Sequence, residues 1–501
     1  MELKKFNMHQ SQVIVITLIF YQILLILIGF VASKKVKNNT DFLLAGRQLG
    51  PWVAGLSYAA STSSAWVLLG FSGFVFVYGY SALWMMPGIW AGYIIMWLLL
   101  GPRVRTESSL KKWITPTDFI CGNIEGKDRR KIASLSALLI AFCFIFYIAA
   151  QFDAAASAFI SNFQMTAGTS LIVSACIILL YCILGGFWAA SITDTLQAFI
   201  MMAAALIVSF ITVNDAGGFS EIITNLSTID NNHSDWMGGH SGFILFGFLA
   251  GMIGIGSGTF GQPHLLSRLM AVKGDNELKL GAAIAVIWSI IIYCAMAALG
   301  LAARTLITDL QTGEQIFYLM AEQLLPPVLA GIVIASILSA VMSTVDSLLL
   351  AASSAISHDL RLSKYFSVGD LLVSRIVMSI IVFAAVILAW IIPDSIFDRV
   401  LFAWSALGAA FGAIVIARVI NHEPSSEARL WSIIIGFSST VLFYSYGNIA
   451  PDTTTNNISY WLSILGNLPG DPFERLVPFL LACLIIYLYH LKNRSSKTLS
   501  Q

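Results

Sequence analysis

The sequence predicts an all-α integral membrane protein with thirteen transmembrane helices. Of its 501 residues, 57% are hydrophobic and only 11% are charged, whereas a soluble domain carries roughly 25% charged residues. Long apolar runs recur along the whole chain, and a bilayer core needs roughly 20 apolar residues per helix. These runs are continuous, which favours helices over the alternating strands of a barrel. Because the net charge is only +1, we expect no nucleic-acid partner.

We number the predicted transmembrane segments as spans 1 to 13. Span 1 is too long for the apolar part of a cleavable signal peptide, and Lys34, Lys35 and Lys37 follow it as a stop-transfer flank. No segment between spans reaches the size of a soluble domain, so we expect one transmembrane domain over residues 1–501. The spans cover residues 12–33, 50–75, 80–101, 132–161, 169–187, 194–213, 241–267, 278–303, 328–357, 372–393, 398–419, 428–447 and 474–491.

Lysine and arginine are distributed unequally between the two alternating sets of loops. The loops after odd-numbered spans, together with the C-terminal tail, hold 23 Lys and Arg, and the other set holds five. Positive residues concentrate on the cytoplasmic side of a membrane. We therefore expect the N-terminus outside and the C-terminus in the cytoplasm, with the protein in the plasma membrane.

Three spans, 2, 7 and 9, carry polar or glycine-rich interruptions, which in transporters mark the binding site. Span 2 contains G-L-S-Y-A-A-S-T-S-S-A-W, from Gly55 to Trp66, and its hydroxyl groups compete with the helix for backbone partners. The alternative is a continuous helix that packs closely through its small residues. Span 7 contains five glycines between Gly251 and Gly261, followed by Pro263, and this composition favours a broken helix.

Acidic residues inside the spans are the second pointer to function. Asp346 lies in span 9 among serines that share one helix face, and an aspartate at this depth costs about 3 kcal/mol on the insertion scale. A cation is its natural partner, although hydrogen bonds to the neighbouring hydroxyls are the alternative. Asp194 opens span 6, where it is either a helix cap or a functional acid. Asp153 in span 4 is either a proton or substrate group or a residue near the outer interface.

Together these segments resemble the sodium/solute symporter family, and the resemblance covers nearly the whole chain. Its parts are D-F-L-L-A-G-R-Q-L-G, the serine-rich span 2, S-I-T-D-T-L-Q, F-G-Q-P-H-L-L-S-R and A-V-M-S-T-V-D-S. The bacterial proline transporters of the family carry a similar F-G-Q-P-H and A-V-M-S-T. The resemblance implies a leucine-transporter-like fold with two inverted five-helix repeats, over about 50–213 and about 241–419, and extra helices over about 428–491.

The resemblance also implies two sodium sites. The main site joins span 2 to span 9 through carbonyl and hydroxyl oxygens, which suit a hard cation. Relatives similar to the sialic acid transporters have a second sodium site nearer the cytoplasm, with a serine at the position of Asp346. The implied residues are Ala60, Ser63, Ala340, Ser343 and Thr344 for the main site, and Asp194, Ser343, Asp346 and Ser347 for the second.

The substrate site implied by the resemblance draws on spans 2, 4 and 7. Trp66, Tyr147 and Pro263 match the proline transporters, but Ile255 and Thr259 stand where those relatives carry aromatic residues. Thr62 replaces an aspartate of the same relatives. The expected substrate residues are Ser61, Thr62, Ser64, Trp66, Tyr147, Gln151, Ile255, Thr259, Gln262 and Pro263.

We therefore expect a secondary active symporter that imports a small organic solute with Na⁺, the best candidate being an amino acid such as proline. Pantothenate, another carboxylate or a sugar is the alternative solute, and a transporter-like solute sensor is the alternative function. A membrane enzyme is disfavoured because the seven histidines are scattered and no H-x-x-H spacing occurs. The sequence does not indicate the oligomeric state or the ratio of sodium to solute.

Overall fold

The computed structural model describes residues 8–34, 36, 39–163, 165–229, 232–307, 310, 312–360, 369–391, 395–449 and 458–498. Helices dominate these residues, and the one extended pairing among them is an isolated parallel bridge between Leu49 and Val272. The α-helices in chain order are α1 Met8–Ser33, α2 Asn39–Leu44, α3 Pro51–Ala65, α4 Ser72–Tyr78, α5 Met85–Ile94, α6 Gly101–Leu110, α7 Pro116–Cys121, α8 Gly126–Phe163, α9 Ala167–Asp215, α10 Phe219–Ile229, α11 Gly242–Gly254, α12 Pro263–Ala271, α13 Asp275–Leu306, α14 Ile316–Leu324, α15 Pro327–Ser354, α16 Asp370–Ile391, α17 Ile396–Val419, α18 Ser426–Gly447, α19 Ile458–Gly466, α20 Pro472–Arg475 and α21 Val477–Thr498.

Ten helical stretches of the described chain are long and apolar enough to cross a membrane. One of them, Pro51–Leu110, contains both span 2 and span 3, and two shorter apolar helices, Ile16–Ala32 and Ala167–Leu180, correspond to spans 1 and 5. The all-helical membrane class is thereby confirmed, and the exact number of thirteen stays a prediction. Lys35 and Lys37, which flank span 1, lie outside the described residues.

The connection between spans 5 and 6 differs from the prediction. α9 is helical on both sides of Gly186, which alone leaves the helical conformation with φ 61° and ψ −178°. Residues 188–193, expected as a loop, are helical, so Asp194 lies inside a helix and does not cap one. The reason is physical: Phe187, Ala189 and Ala190 are buried, and a buried backbone must satisfy its own hydrogen bonds, which a helix does.

The interruptions predicted in spans 2 and 7 are confirmed as broken helices, whereas the polar stretch of span 9 lies in the continuous helix α15. In span 2, Ser64 adopts φ 51° and ψ −172° at the end of α3, and a π-helical turn over Trp66–Phe71 follows. In span 7, the segment Ile255–Gly261 winds more tightly as a 3₁₀ helix, Gln262 is extended, and Pro263 opens α12. The serine hydroxyls in the first case and the flexibility of glycine in the second lower the free-energy cost of these breaks.

The centre of the bundle is formed by α15 and α17. Within their most apolar windows, 83% and 94% of residues are buried inside the protein. α15 packs against α1, α3, α8 and α9, and α17 packs against α8, α18, α21 and the segment Ile255–Gly261. Close approach at the latter contact requires glycine, because a Cβ at Gly408 would lie 2.3 Å from the Cα of Gly258. The two central helices therefore touch the two broken helices, each at its break.

Candidate functional site

The end of α3 is joined to α15 by hydrogen bonds between hydroxyl and carbonyl groups. The Ser61 hydroxyl donates to the carbonyl of Ser343 at 3.0 Å, and the Thr344 hydroxyl donates to the carbonyl of Ser61 at 3.4 Å. All five residues implied for the main sodium site are fully buried along this contact, which we name the serine seam: Ala60, Ser63, Ala340, Ser343 and Thr344. The seam therefore gathers neutral oxygen atoms of two helices in a region buried inside the protein.

The local sequence explains the seam. Ser343 and Ser347 are four residues apart on α15 and share a face, and the Ser347 hydroxyl donates back to the Ser343 carbonyl at 2.7 Å. On the α3 side, the break at Ser64 frees backbone groups that find side-chain partners. The amide of Ala65 donates to the Gln151 side-chain carbonyl at 3.1 Å, and the amide of Trp66 donates to the Ser64 hydroxyl at 3.0 Å.

A charged cluster lies beside the seam. Asp194 and Asp346 are 0% and 2% exposed, and the structure places a third charged group with them, the guanidinium of Arg268. Its Nη2 donates to Asp194 Oδ2 at 2.8 Å, and it also donates to the Ser347 hydroxyl. Ser57 connects the two charges, since it donates to Asp194 at 2.7 Å and accepts from Arg268 Nε at 2.9 Å.

Arg268 is the residue that sequence reasoning missed. It directly follows span 7, so it was counted among the loop charges, yet it is 1% exposed inside α12. The signal in the sequence is that Arg268 ends the motif F-G-Q-P-H-L-L-S-R. In the structure its Nη1 donates to the His264 carbonyl at 3.0 Å. The bias of positive charge between the two sets of loops survives the removal of this residue.

The cluster retains unused acceptors. Asp194 Oδ1 and Asp346 Oδ2 are buried and have no hydrogen-bond partner among the residues that the structure describes. The other oxygen of Asp346 lies 3.0 Å from the Ser347 hydroxyl oxygen. Two carboxylates face one guanidinium, so the ionised cluster has a net charge of −1, and such a buried charge calls for a further positive partner.

A small cavity of about 30 Å³ lies on the other side of the break in α3, enough for about one water molecule. Five of the expected substrate residues line it: Thr62, Trp66, Tyr147, Ile255 and Thr259. The other lining residues are Ile89, Tyr93, Tyr293, Val400, Leu401 and Trp404. A solute larger than water therefore requires the aromatic walls to separate.

The remaining expected substrate residues do not line the small cavity. Ser61 is hydrogen-bonded to Ser343 and Thr344 of the serine seam, while Ser64 and Gln151 satisfy backbone amides at the break. The Gln262 amide donates to the carbonyls of Gly258 and Trp404, at 3.0 and 2.9 Å, and so ties the second break to α17. Pro263 starts α12. In this structure these residues maintain the broken helices that shape the cavity.

The three aromatic residues that the sequence did not single out are Tyr93, Tyr293 and Trp404. Each lies in a long apolar run, a position shared with many aromatic packing residues. Only the tertiary structure distinguishes Trp404, whose indole Nε1 donates to the carbonyl of Ile255 at 3.1 Å. That carbonyl belongs to the 3₁₀ segment, so the same ring walls the cavity and holds the break.

At the N-terminal end of α17, charged groups surround an aromatic stack. Asp153 forms an ion pair with Arg399, which is 1% exposed, so the acid of span 4 has an internal partner. The Phe397 ring stacks on Trp66, with centroids 5.6 Å apart. Burial raises the pKa of the Glu314 carboxyl, and the backbone N–H of Phe397, which donates to it at 2.9 Å, opposes that rise.

Comparison with known proteins gives a consistent result over almost the full chain. The family model described as "Sodium:solute symporter family" matches residues 42–436. The sodium/proline symporter of Escherichia coli (strain K12) is 32% identical over 476 residues, covering 92% of this chain and 91% of that protein. The high-affinity proline transporter of Bacillus subtilis (strain 168) is 30% identical over 463 residues, covering 89% and 97%.

Solved structures share the fold at lower identity. A Na⁺-coupled sialic acid symporter in a substrate-bound outward-open state superposes with a TM-score of 0.74 at 17% identity, covering 95% of this chain and 98% of that one. A nucleobase-cation-symport-1 family transporter in a closed conformation gives a TM-score of 0.55 at 13% identity, covering 91% and 96%. These transporters are leucine-transporter-like, and the chain shares their architecture.

Proposed function

The chain belongs to the sodium:solute symporter family, and from that premise we propose that it imports an amino acid such as proline together with sodium. Sodium is the coupling ion of the family. The observation that carries the proposal is the small cavity at two broken helices, walled by Trp66 and Tyr147 and adjacent to the serine seam. Its aromatic faces provide apolar contact for a pyrrolidine ring and attract a positively charged amine.

The first sodium ion binds, in this proposal, at the serine seam. The ligands are the carbonyls of Ala60, Ser63 and Ala340 and the hydroxyls of Ser343 and Thr344. One hydrogen bond that crosses the seam, from the Thr344 hydroxyl to the Ser61 carbonyl, uses an oxygen atom that this ion would bind. Sodium would thereby fix the distance between α3 and α15 and favour one conformation of the solute site, as coupling requires.

A second cation, in the same proposal, binds at the charged cluster, through Asp194, Ser343, Asp346 and Ser347. The sequence suggested two carboxylates that share an ion, and the presence of Arg268 changes that arrangement. Arg268 already supplies one positive charge, so at most one further positive charge is needed to neutralise the two carboxylates. The two unpartnered oxygens, Asp194 Oδ1 and Asp346 Oδ2, are the acceptors available to sodium or a proton.

The architecture completes the proposal. Thirteen transmembrane helices place the N-terminus outside and the C-terminus in the cytoplasm. The two inverted repeats, over about 50–213 and about 241–419, each begin with a broken helix. Alternating access then consists of movement of the bundle around these breaks, and the separation of α15 and α3 on sodium release opens the path to the cytoplasm.

A different solute is the second candidate, and one observation favours it. Ile255 and Thr259 line the small cavity at the positions where proline transporters resembling this chain carry aromatic rings. An aliphatic residue and a hydroxyl make this wall less aromatic and more polar. Such a wall suits either a sugar or a carboxylate such as pantothenate. A solute sensor would use the same cavity without net transport.

Uptake into proteoliposomes tests the proposal. Purified protein is reconstituted, and ¹⁴C-labelled L-proline accumulation is measured with an inward sodium gradient, with an inward potassium gradient, and with sodium equal on both sides. Accumulation above equilibrium only with the sodium gradient supports the proposal. Sodium-dependent proline binding without accumulation indicates a sensor. Absence of both, with uptake of pantothenate or a sugar in the same vesicles, assigns another solute.

A further inference from the structure

A second cavity, of about 620 Å³, lies apart from the small cavity, and we name it the large cavity. It lies at the N-terminal end of α17, between α4, α11, the 232–240 segment and α20. Its volume falls within the range of about 300–1,000 Å³ that is typical of small-molecule sites. Leu401 lies in the walls of both cavities.

A stack of three aromatic rings separates the two cavities. Phe74 belongs to the wall of the large cavity and Trp66 to that of the small one. The Phe397 ring lies between them, with centroids 4.6 Å from Phe74 and 5.6 Å from Trp66. A molecule held in the large cavity is therefore one aromatic layer away from the small cavity.

Arg475 is the unusual residue of the large cavity. It is 4% exposed, and its Nη2 donates to Asp471 at 2.6 Å. Its Nε and Nη1 are buried and have no hydrogen-bond partner among the described residues. A guanidinium presents its donors in a planar fork that fits the two oxygens of a carboxylate, and this one lies near the aromatic stack, 5.8 Å above the Phe397 ring.

The other charges of the wall select the type of ligand. Asp398, Asp471 and Glu474 line the large cavity together with Arg475, so its acidic groups outnumber this cation. A net negative wall repels a simple anion and attracts a cation or an ammonium group. A zwitterion satisfies both requirements, since its carboxylate pairs with Arg475 and its amine faces the acidic residues.

We propose that the large cavity is a first docking site for zwitterionic solutes, in which Arg475 binds the solute carboxylate before the solute passes Phe397 to the small cavity. The identity of the solute as an amino acid rests on the proposed function, while the carboxylate chemistry rests on Arg475 itself. The site is distinct from the sodium sites and from the small cavity, and it gives the transporter a second position that discriminates among solutes.

Solute protection of an introduced cysteine tests this site. Leu468, in the wall of the large cavity, is replaced by cysteine, and the protein in nanodiscs is treated with a maleimide. Modification at position 468 is quantified by peptide mass spectrometry, which separates it from the native cysteines. L-Proline should slow labelling about threefold at roughly twice its Kd, by mass action. Prolinamide, which has the same ring without the carboxylate, should not slow it.

Three variants of the Leu468→Cys protein locate the effect. Protection should persist in Trp66→Ala, because the small cavity is not its source. It should be lost in Arg475→Gln and partly retained in Arg475→Lys. Equal protection in Arg475→Gln, loss in Trp66→Ala, or equal protection by prolinamide would each overturn the proposal.

The prolinamide comparison decides the question even if Arg475→Gln misfolds, because it uses no change at position 475. The two experiments distinguish failure of the proposed function from failure of the docking site. If only the proposed function fails, sodium-driven proline uptake by the unaltered protein is absent, while Arg475-dependent protection in Trp66→Ala remains. Conversely, uptake without any protection retains the transport function and removes the docking site.

Discussion

The guanidinium of Arg268 donates a hydrogen bond to the carboxylate of Asp194 at 2.8 Å, and neither side chain is more than 1% exposed. This pair connects α12, just after the second helix break, to the middle of α9. Through Ser57 it also reaches α3, and through Ser347 it reaches α15. Four helices therefore meet at one buried ion pair, whose loss should affect the packing of all four.

Removing one partner of this pair should lower the stability of the folded protein more than removing both. Arg268→Gln leaves two buried carboxylates without a cation, and Asp194→Asn leaves the guanidinium with weaker partners. Loss of one member of a buried ion pair costs about 3–5 kcal/mol. We expect each single variant to unfold at a clearly lower temperature in detergent, and the double variant Arg268→Gln/Asp194→Asn to recover part of the loss.

A double-mutant cycle on thermal unfolding measures this coupling. Sodium is varied in each experiment, because an ion bound at the cluster should stabilise the Arg268→Gln protein more than the unaltered protein. Arg304→Gln is the matched control, since Arg304, like Arg268, is a cation in the last turn of its helix but lies outside the cluster. Strict additivity of the two single changes would show that the pair does not act as a unit.

Thr344 tests the serine seam. Thr344→Ala removes one hydroxyl ligand of the proposed main sodium site and should raise the sodium concentration for half-maximal uptake at least about tenfold, roughly 1.4 kcal/mol. Solute affinity at saturating sodium should change little. Ser336→Ala on the same helix is the control, because its hydroxyl bonds within α15 to the Val333 carbonyl. An unchanged sodium dependence in Thr344→Ala would remove this residue from the site.

Trp66 tests the small cavity as the solute site. Trp66→Ala removes the ring that walls the cavity and stacks on Phe397, and we expect it to abolish saturable uptake while the protein still inserts and folds. Trp431→Ala serves as the control, since that ring is 49% exposed on the outer face of α18. Normal solute affinity in Trp66→Ala would mean that the solute binds elsewhere.

Asp346 tests the second cation. Asp346→Ser installs the residue found in relatives with two sodium sites and removes the extra buried acid. Because a proton and sodium compete for the same carboxylate oxygens, this change should flatten the pH dependence of sodium affinity while transport continues. The control is Ser354→Ala, a change on the same helix two turns further on.

The sodium Hill coefficient and the reversal-potential stoichiometry provide the measurement, in unaltered protein, Asp346→Ser and Asp194→Asn. Asp194→Asn should weaken coupling more than binding, because the serine seam is intact. One sodium per solute in all three proteins would leave Arg268 as the only cation of the cluster, and the two acids as its structural partners.

The helix breaks were predictable because they depend on local chemistry. Glycines and a proline in span 7, and five hydroxyl residues in span 2, weaken a helix wherever it lies, and the structure breaks both. The connection at Gly186 was not predictable in the same way. A glycine followed by small and aromatic residues predicts a loop when its burial is unknown. In the structure this segment is buried, and burial favours the helical conformation of residues 188–193.

The sequence by itself determined the membrane class, the family and the chemical types of the site residues, since apolar run length and motif composition do not depend on the fold. The tertiary structure alone decided which charges meet. Arg268 reads as a loop cation beside span 7, yet the tight segment Ile255–Gly261 turns α12 inward and sets this residue against Asp194. Arg475 likewise belongs to an outer loop by its sequence position. Only the packing of α20 against α11 and α17 shows that it is buried. Ion pairs such as Arg268–Asp194 join helices that are far apart in the chain, so their formation cannot be inferred from residue spacing.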